Sequence, residues 1–225
     1  MAKSEKRNLI SEFFSIPHSY ARASYEKMIE KLESYNKFQD ERDQDVDRLV
    51  LLAKAQISYD KNRYSEEIYK ILEPIFEYLS DLESWKVVDL KICCMIVRFA
   101  ENYEEASLLV DRTLEELKKF RPEQFPEKLI VLLHTNLIAR IVHADYFEAD
   151  YSQSLELDLI FNETFKKAYL VAKEYNYKDI LAFLYTMKGL FEDDSELINE
   201  GLELAEECSE GFYKYIEKTI SIHKR

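Results

Sequence analysis

The segment LLHTNLIARIVHADYFEAD, residues 132–150, shows the pattern that decides the fold. Asn136, Arg140 and His143 are spaced by four and then three residues, so a helix places them on one face. Most of the other positions are apolar, namely Leu132, Leu133, Leu137, Ile138, Ile141 and Val142. A helix with so much apolar surface is predicted to be buried among other helices. The row of hydrogen-bonding groups along it therefore needs partners.

The scarcity of helix breakers predicts helices for the rest of the chain as well. Among 225 residues there are only 3 glycines and 4 prolines, too few for the turns of a β-rich or α/β protein of this size. The helical period predicts helices over 5–15, 19–37, 42–60, 64–80, 84–100, 104–120, 125–144, 152–175, 178–191, 195–207 and 210–223. Pro122 and Pro126 are expected to bracket a loop, and Pro74 to kink its helix. The predicted fold class is all-α.

A weak internal repeat of the form Tyr-x-acid begins at Tyr64, Tyr103, Tyr146 and Tyr177. The separations of 39, 43 and 31 residues are close to the length of one helical hairpin. A tyrosine at the start of a second helix can lie across such a hairpin, and the acid suits the dipole of the first turn. The segment NYEEA, 102–106, is similar to the middle of a tetratricopeptide unit, although the full consensus is missing.

These repeats predict one domain over residues 1–225, in which 1–15 is either a linker or a helical N-terminal extension. The expected architecture is a tetratricopeptide-like right-handed superhelix of stacked antiparallel helix pairs with a concave face. The charged run FQDERDQDVDR, 38–48, is expected to be a solvated turn followed by a helix start.

Charge and cysteine usage restrict partners and compartment. The net charge of −13 repels phosphate backbones, so direct binding of nucleic acid by this chain is not expected. Cys93, Cys94 and Cys208 have neither a disulfide framework nor zinc spacing, which favours a reducing cytoplasm. Residues 1–20 contain no signal peptide, and no apolar segment is long enough to predict a membrane span.

No arrangement of residues predicts catalysis or a metal. The 4 histidines lack ligand spacing, and no HExxH, CxxC or EF-hand loop occurs. There is no G-x-S-x-G elbow, and phosphate-binding loops need glycines that this chain lacks. Cys93 and Cys94 lie inside a predicted helix, where core packing is the better interpretation. We therefore expect no cofactor, no metal and no enzymatic activity.

Recognition of a peptide is the remaining use for the polar row. An asparagine side chain has both a donor and an acceptor, so Asn136 can bind one peptide unit. Arg140 offers five donors for carbonyls or for a carboxylate terminus, and His143 lies beyond it on the same stripe. In the other interpretation, Asn136 bonds a backbone group between repeats and Arg140 pairs with a core carboxylate. The residues alone leave both open.

Two further segments contribute candidate groove residues. In LESWKVVDL, Trp85 is the single tryptophan and Asp89 follows one turn later on the same face. The tryptophan is either a rigid anchor for a ligand or part of the hairpin packing. In LAFLYTMKGLF, Tyr185 and Lys188 share a face near Gly189. A glycine inside a helix favours close approach of a neighbouring helix, which leaves Lys188 for a groove or for solvent.

The order of these segments resembles the C-terminal regulatory domain of the Rgg/GadR/MutR transcription regulators. The residues that carry the resemblance are Trp85 with an acid four positions later at Asp89, Asn136 in a buried middle helix, and a K-G-L sequence that begins at Lys188. The similarity covers roughly residues 8–222.

The resemblance implies a cytoplasmic sensor of Gram-positive bacteria that dimerises through its C-terminal part. It implies a concave groove for a short signalling peptide, as in quorum sensing. The residues placed in that groove by position are Trp85, Asp89, Asn136, Arg140 and Lys188. Met95 stands where the family often has a polar residue, so that wall would be more apolar.

The front of the chain departs from the family, which begins with a helix-turn-helix domain. Residues 1–40 contain neither its Gly-containing turn nor a basic recognition helix. Contact with DNA would then need a separate N-terminal domain, or a stand-alone member would sequester a peptide or pair with a full-length partner. The alternative function is a helical-repeat scaffold or adaptor that binds a partner protein, which predicts a broad exposed apolar patch.

Overall fold

The computed structural model describes residues 2–16, 22–61, 65–120, 127–147 and 154–223. Within those ranges the chain is all-α, with eleven α-helices, one short 3-10 helix and no strand. The α-helices are α1 (Ala2–Phe13), α2 (Arg22–Lys37), α3 (Gln44–Lys61), α4 (Glu66–Asp81), α5 (Val87–Ile96), α6 (Tyr103–Leu117), α7 (Glu127–Phe147), α8 (Ser154–Glu174), α9 (Lys178–Glu192), α10 (Ser195–Cys208) and α11 (Glu210–Ile222). The 3-10 helix η1 (Val97–Phe99) follows α5 directly. No helix in these ranges is long and apolar enough to cross a membrane.

The predicted all-α fold class is confirmed, and each predicted helix corresponds to a helix of the structure. The largest differences in boundaries are a few residues. The helix predicted over 84–100 begins at Val87 and changes to 3-10 geometry at Val97. Of the predicted linker or helical extension, Ala2–Phe13 form α1. Pro74 lies inside α4 as expected, whereas the loop predicted between Pro122 and Pro126 lies outside the described residues.

The chain divides into two compact units, Met1–Ile92 and Cys93–Arg225, with the boundary inside α5. In the first unit, α2 packs against α3, α3 against α4, and α1 against both α2 and α3. Its core contains apolar side chains with almost no exposed surface, including Phe13, Tyr25, Leu32, Leu49, Leu52, Leu72 and Ile75. In α2 and α4 the buried positions recur at helical spacing and form one stripe, whereas α3 is buried around most of its circumference.

The start of α3 corrects the prediction of a solvated charged run. The run does contain the helix start, where the Asp43 carboxylate accepts a hydrogen bond of 3.0 Å from the Asp45 amide. Asp45 and Arg48, however, are buried. Lys6 of α1 lies 2.7 Å from the Asp45 carboxylate, and the Arg48 guanidinium lies 3.5 Å from the centre of the Tyr78 ring. Partners on α1 and α4 thus remove these charges from solvent, which the charge pattern could not show.

In the second unit, α9 is the central helix and packs against α7, α8, α10 and α11. The closest approach is between α9 and α10. A Cβ added at Gly201 would lie 2.8 Å from the Ala182 carbonyl oxygen, and one added at Gly189 would lie 2.7 Å from the Asp194 carbonyl oxygen. The two backbones can approach this closely only because both positions lack a side chain. The prediction of tight packing at Gly189 is confirmed.

The tyrosine repeat agrees with the structure only in part. Tyr103 is the first residue of α6 and Tyr177 immediately precedes α9, as a tyrosine at a helix start requires. Tyr146 instead lies in the last turn of α7, so its assignment to a helix start is wrong. The apolar period continues through Tyr146 without a breaker, which extends α7 beyond the predicted end at 144. Tyr64 lies outside the described residues.

Candidate binding surface

Arg140 of α7 is fully buried, and its donors are directed at the main chain. Its Nε donates to the Ala100 carbonyl oxygen at 2.9 Å, and its Nη2 donates to the Glu101 carbonyl oxygen at 2.5 Å. Both carbonyls follow η1, where no further helical turn supplies donors. A guanidinium satisfies two such carbonyls at once because its donors form a planar fork. Arg140 therefore fastens the η1–α6 connection to α7.

Asn136 lies one turn before Arg140 and bonds the main chain of α5. Its Nδ2 donates to the Cys94 carbonyl oxygen in the last turn of α5 at 2.6 Å. This is the bond to a neighbouring backbone that the second interpretation of the polar row described. For Arg140 the partners in the structure are backbone carbonyls instead of the carboxylate that this interpretation expected. These two side chains therefore hold α7 against residues 94–101.

His143 completes the row at the C-terminal end of α7. Its ring lies 4.7 Å from the Phe147 ring and 6.2 Å from the ring of His223, measured between centroids. The pKa of His143 is lowered to about 3. The largest cause is burial, and the positive charge of Arg140 and the charge of His223 contribute less. The imidazole is thus neutral at physiological pH. It lies in an aromatic cluster that also contains Tyr146.

Trp85 and Asp89 lie in the first unit, where both are buried. Asp89 has no exposed surface; its carboxylate accepts from the Lys86 amide at 2.8 Å and from the Tyr78 hydroxyl at 3.2 Å. An acid in the first turn that bonds a preceding amide stabilises the start of α5. In this conformation both oxygens of Asp89 have intramolecular partners, and Trp85 contributes packing.

Tyr185 and Lys188 lie on a different kind of surface, the seam between α8 and α9. Phe161, Phe165 and Tyr169 follow one another at intervals of four along α8, and their neighbouring rings are stacked at 5.9 and 5.7 Å. From α9, Phe191 stacks on Phe161 at 4.0 Å. The Lys188 ammonium lies 5.3 Å from the centre of the Phe165 ring, within the range of a cation–π interaction. The Lys173 ammonium lies 5.5 Å from the centre of the Tyr169 ring. We call all these side chains, together with Tyr185, the aromatic ladder.

The exposed end of the ladder is a pair of tyrosines flanked by lysines. The hydroxyls of Tyr169 and Tyr185 are 3.4 Å apart. The bond to Tyr169, together with burial, raises the pKa of Tyr185 to about 12. The bond from Tyr185 and the charges of Lys173 and Lys188 lower the pKa of Tyr169. Phe165, Tyr169, Tyr185 and Lys188 are only half-buried, so this end of the ladder is accessible.

The ladder contains residues that the sequence reasoning missed. Phe165, Tyr169 and Lys173 were not candidates, although Phe161, Phe165 and Tyr169 recur at the i, i+4, i+8 spacing of one helix face. That signal was available but resembles ordinary core packing. Pairing it with Tyr185 and Lys188 requires knowing that α8 and α9 pack against each other.

The predicted site residues are divided between the two units. Trp85 and Asp89 belong to the first unit, and Asn136 and Arg140 bond the α5–α6 connection in the second. Tyr185 and Lys188 join one partly exposed cluster, and His143 joins another with Tyr146 and Phe147. Within the first unit there is also a cleft of about 450 Å³ between α1 and the end of α2, lined by charged and apolar side chains including Glu5, Lys31 and Phe38.

Neither metal chemistry nor similarity to other proteins supplies a further assignment. The described parts of the chain contain no group of three or more histidine, cysteine or acidic side chains that could hold a metal ion. Comparison with protein-family models, with curated proteins and with solved structures gave no match.

Proposed function

We propose that this chain is a peptide-binding helical-repeat domain and that the α8–α9 seam holds the ligand. The single observation that carries the proposal is the half-buried aromatic ladder, in which Lys188 lies against the Phe165 ring. Stacked rings give a large rigid apolar contact at low entropic expense, and lysines supply charge complementarity at one end. A short, predominantly hydrophobic peptide fits this combination.

The packing of alternate helices supports a repeat architecture. In the second unit α7 contacts α9 and α9 contacts α11, while in the first unit α1 contacts α3. Contact between every second helix is typical of stacked helical hairpins, in which equivalent helices form one layer. The proposed finer fold is the tetratricopeptide-like right-handed superhelix. The α8–α9 seam would then be a junction between successive hairpins.

For the biological role we propose the peptide-sensing regulatory domain of a Gram-positive transcription regulator of the Rgg/GadR/MutR type. The domain would act as a homodimer in which the peptide changes the balance between two arrangements, which requires a different affinity for each. DNA would be contacted only through a separate N-terminal domain. Support for this role comes from the order of the Trp85, Asn136 and Lys188 segments.

Native mass spectrometry with a pool of hydrophobic hexapeptides tests the binding function. We expect bound peptide on the wild-type chain, and at least about tenfold weaker binding after Phe165→Ala, since loss of a stacked aromatic contact removes on the order of 1.4 kcal/mol or more. Tyr175→Ala is the control, because Tyr175 is an exposed aromatic residue outside the ladder. Retention of peptide by Phe165→Ala at the wild-type level would place the binding site elsewhere.

A scaffold or adaptor is the second candidate, and one observation favours it. On α8 three leucines are largely exposed, Leu155 by 78%, Leu159 by 72% and Leu170 by 56%. They lie within about 60° of one another around the helix, so they share one face. Exposed apolar side chains on one face mark a surface for a protein partner when they are contiguous. This alternative would be established if the chain bound none of the peptides but did bind a partner protein. Leu159→Glu should then abolish binding of that partner.

A further inference from the structure

The tyrosine end of the aromatic ladder contains several hydrogen-bond donors, which are either positively charged or neutral. Lys188 lies beside Phe165, and the Lys173 ammonium lies 5.5 Å from the centre of the Tyr169 ring. The hydroxyls of Tyr169 and Tyr185 lie 3.4 Å apart at the same place. Two ammonium groups and two phenols thus lie along this end of the ladder, in a chain whose acidic residues outnumber its basic residues by 44 to 31.

Either hydroxyl of this pair can donate the bond between the phenols. When Tyr185 donates, the Tyr169 oxygen is the acceptor. A hydroxyl that accepts in this way can still donate its own proton. Tyr169 can therefore offer an O–H to a bound acceptor while Tyr185 holds its oxygen in place.

One carboxylate of the chain pairs with this donor set, and a second acts on it through its charge. Glu192 Oε2 lies 3.8 Å from Lys188 Nζ, one turn along α9, and both side chains are partly exposed. Glu200 contributes to the raised pKa of Tyr185 through its charge. An exposed i, i+4 pair of this length contributes little to stability. A ligand carboxylate that bonds Lys188 and Tyr169 together can displace it.

We propose that Tyr169, Lys173 and Lys188 bind the free C-terminal carboxylate of the peptide, with its last side chain against Phe165. The proposal deepens the proposed function and rests on it. Arg140, the residue that the sequence suggested for a carboxylate terminus, has its Nε and Nη2 on backbone carbonyls. The carboxylate would accept charge-assisted hydrogen bonds, and the half-buried setting strengthens them relative to solvent.

Two hexapeptide pools of identical sequence, ending in a free carboxylate or in a carboxamide, test the assignment. We expect the wild-type chain to bind the free-acid pool at least about tenfold more tightly, since a hydrogen bond to a charged group contributes about 1.5–3 kcal/mol. In Lys188→Met and in Tyr169→Phe this preference should fall to about threefold or less. Lys166→Met removes an exposed lysine of α8 outside the ladder and should keep the full preference.

The outcomes separate the two proposals. Equal binding of both pools overturns the carboxylate assignment and leaves peptide binding intact. Binding of neither pool overturns both. A third pool, amidated but with one internal aspartate, identifies the source of the carboxylate: if it restores the affinity of the free acid in the wild-type chain, the site recognises a side chain and the terminal assignment is wrong. Near-UV circular dichroism of each variant confirms that the ladder is still folded.

Discussion

At the scale of the residue, the polar groups of α7 show how a buried charge is accommodated. Arg140 is among the largest fully buried side chains of the chain, and its guanidinium bonds carbonyls some forty positions earlier in the sequence. Burial of a charge is unfavourable unless hydrogen bonds compensate it. The neutral His143 beside it adds no second positive charge, because its pKa is lowered.

Replacing Arg140 should therefore destabilise the fold instead of merely weakening ligand binding. In Arg140→Met the carbonyls of Ala100 and Glu101 lose their donors inside the protein, and we expect a loss of about 3 kcal/mol. Urea unfolding followed by circular dichroism measures it. Lys166→Met, an exposed substitution in the same unit, should change stability by less than about 0.5 kcal/mol. A change as small as this in Arg140→Met would contradict the structural role.

The pKa of His143 makes stability sensitive to mild acid. The unfolded chain takes up the proton near the ordinary pKa of 6.5, whereas the folded chain keeps the ring neutral down to about 3. Between these values the unfolded state binds more protons, so stability falls as pH falls. From pH 7 to 5.5 this group should remove about 1 kcal/mol, and His143→Gln should abolish that part. Titration of the imidazole near pH 6.5 in the folded protein, seen by NMR, would refute the prediction.

At the scale of the element, the helix ends and the α9–α10 crossing determine how hairpins stack. Asn176 and Asp193 adopt positive φ values of 53° and 55° in the turns before and after α9. These two residue types tolerate that region better than other side chains. The Asp194 carboxylate then accepts from the amides of Glu196 and Leu197, which caps α10. Short turns of this kind keep α9 and α10 in close contact.

At the α9–α10 crossing we predict that replacing a glycine by alanine destabilises the protein, although this replacement usually stabilises a helix. In an exposed helix, Gly→Ala stabilises by about 0.5–1 kcal/mol. At Gly201 the new methyl would lie 2.8 Å from the Ala182 carbonyl oxygen and 2.9 Å from the Thr186 amide nitrogen, both backbone atoms. We expect Gly201→Ala to destabilise by about 1–3 kcal/mol. Thermal unfolding tests this, with Asn199→Ala at an exposed position of α10 as the control that should be neutral or stabilising.

At the scale of the whole molecule, charge decides which classes of partner are available. A net charge of −13 produces an overall repulsion toward polyanions, while the lysines of the ladder form a local exception. We predict that the 225-residue chain does not retard duplex DNA in a gel-shift experiment at about 0.15 M salt. Retardation that weakens steeply with added salt would contradict this and would reveal a basic surface formed by the tertiary structure.

Much of the fold followed from local sequence, and much of the candidate surface did not. The positions of the helices are set by apolar spacing and by the scarcity of glycine and proline, because the helical period involves only neighbours along the chain. Tyr146 shows the limit, since helix ends depend on weak local signals. The sequence singled out Tyr185 and Lys188 on one helix face, but their aromatic partners on α8 could not be distinguished from core residues.

The sequence alone determined an acidic, all-helical chain and the residues that share each helix face. Only the tertiary structure decided what those faces meet. Asn136 and Arg140 looked available for a ligand, yet packing brings the carbonyls of Cys94, Ala100 and Glu101 to them. Such pairings join distant parts of the chain and depend on how whole helices pack, so the local pattern does not specify them. The same packing places Lys188 over Phe165 and creates the surface proposed to bind a peptide.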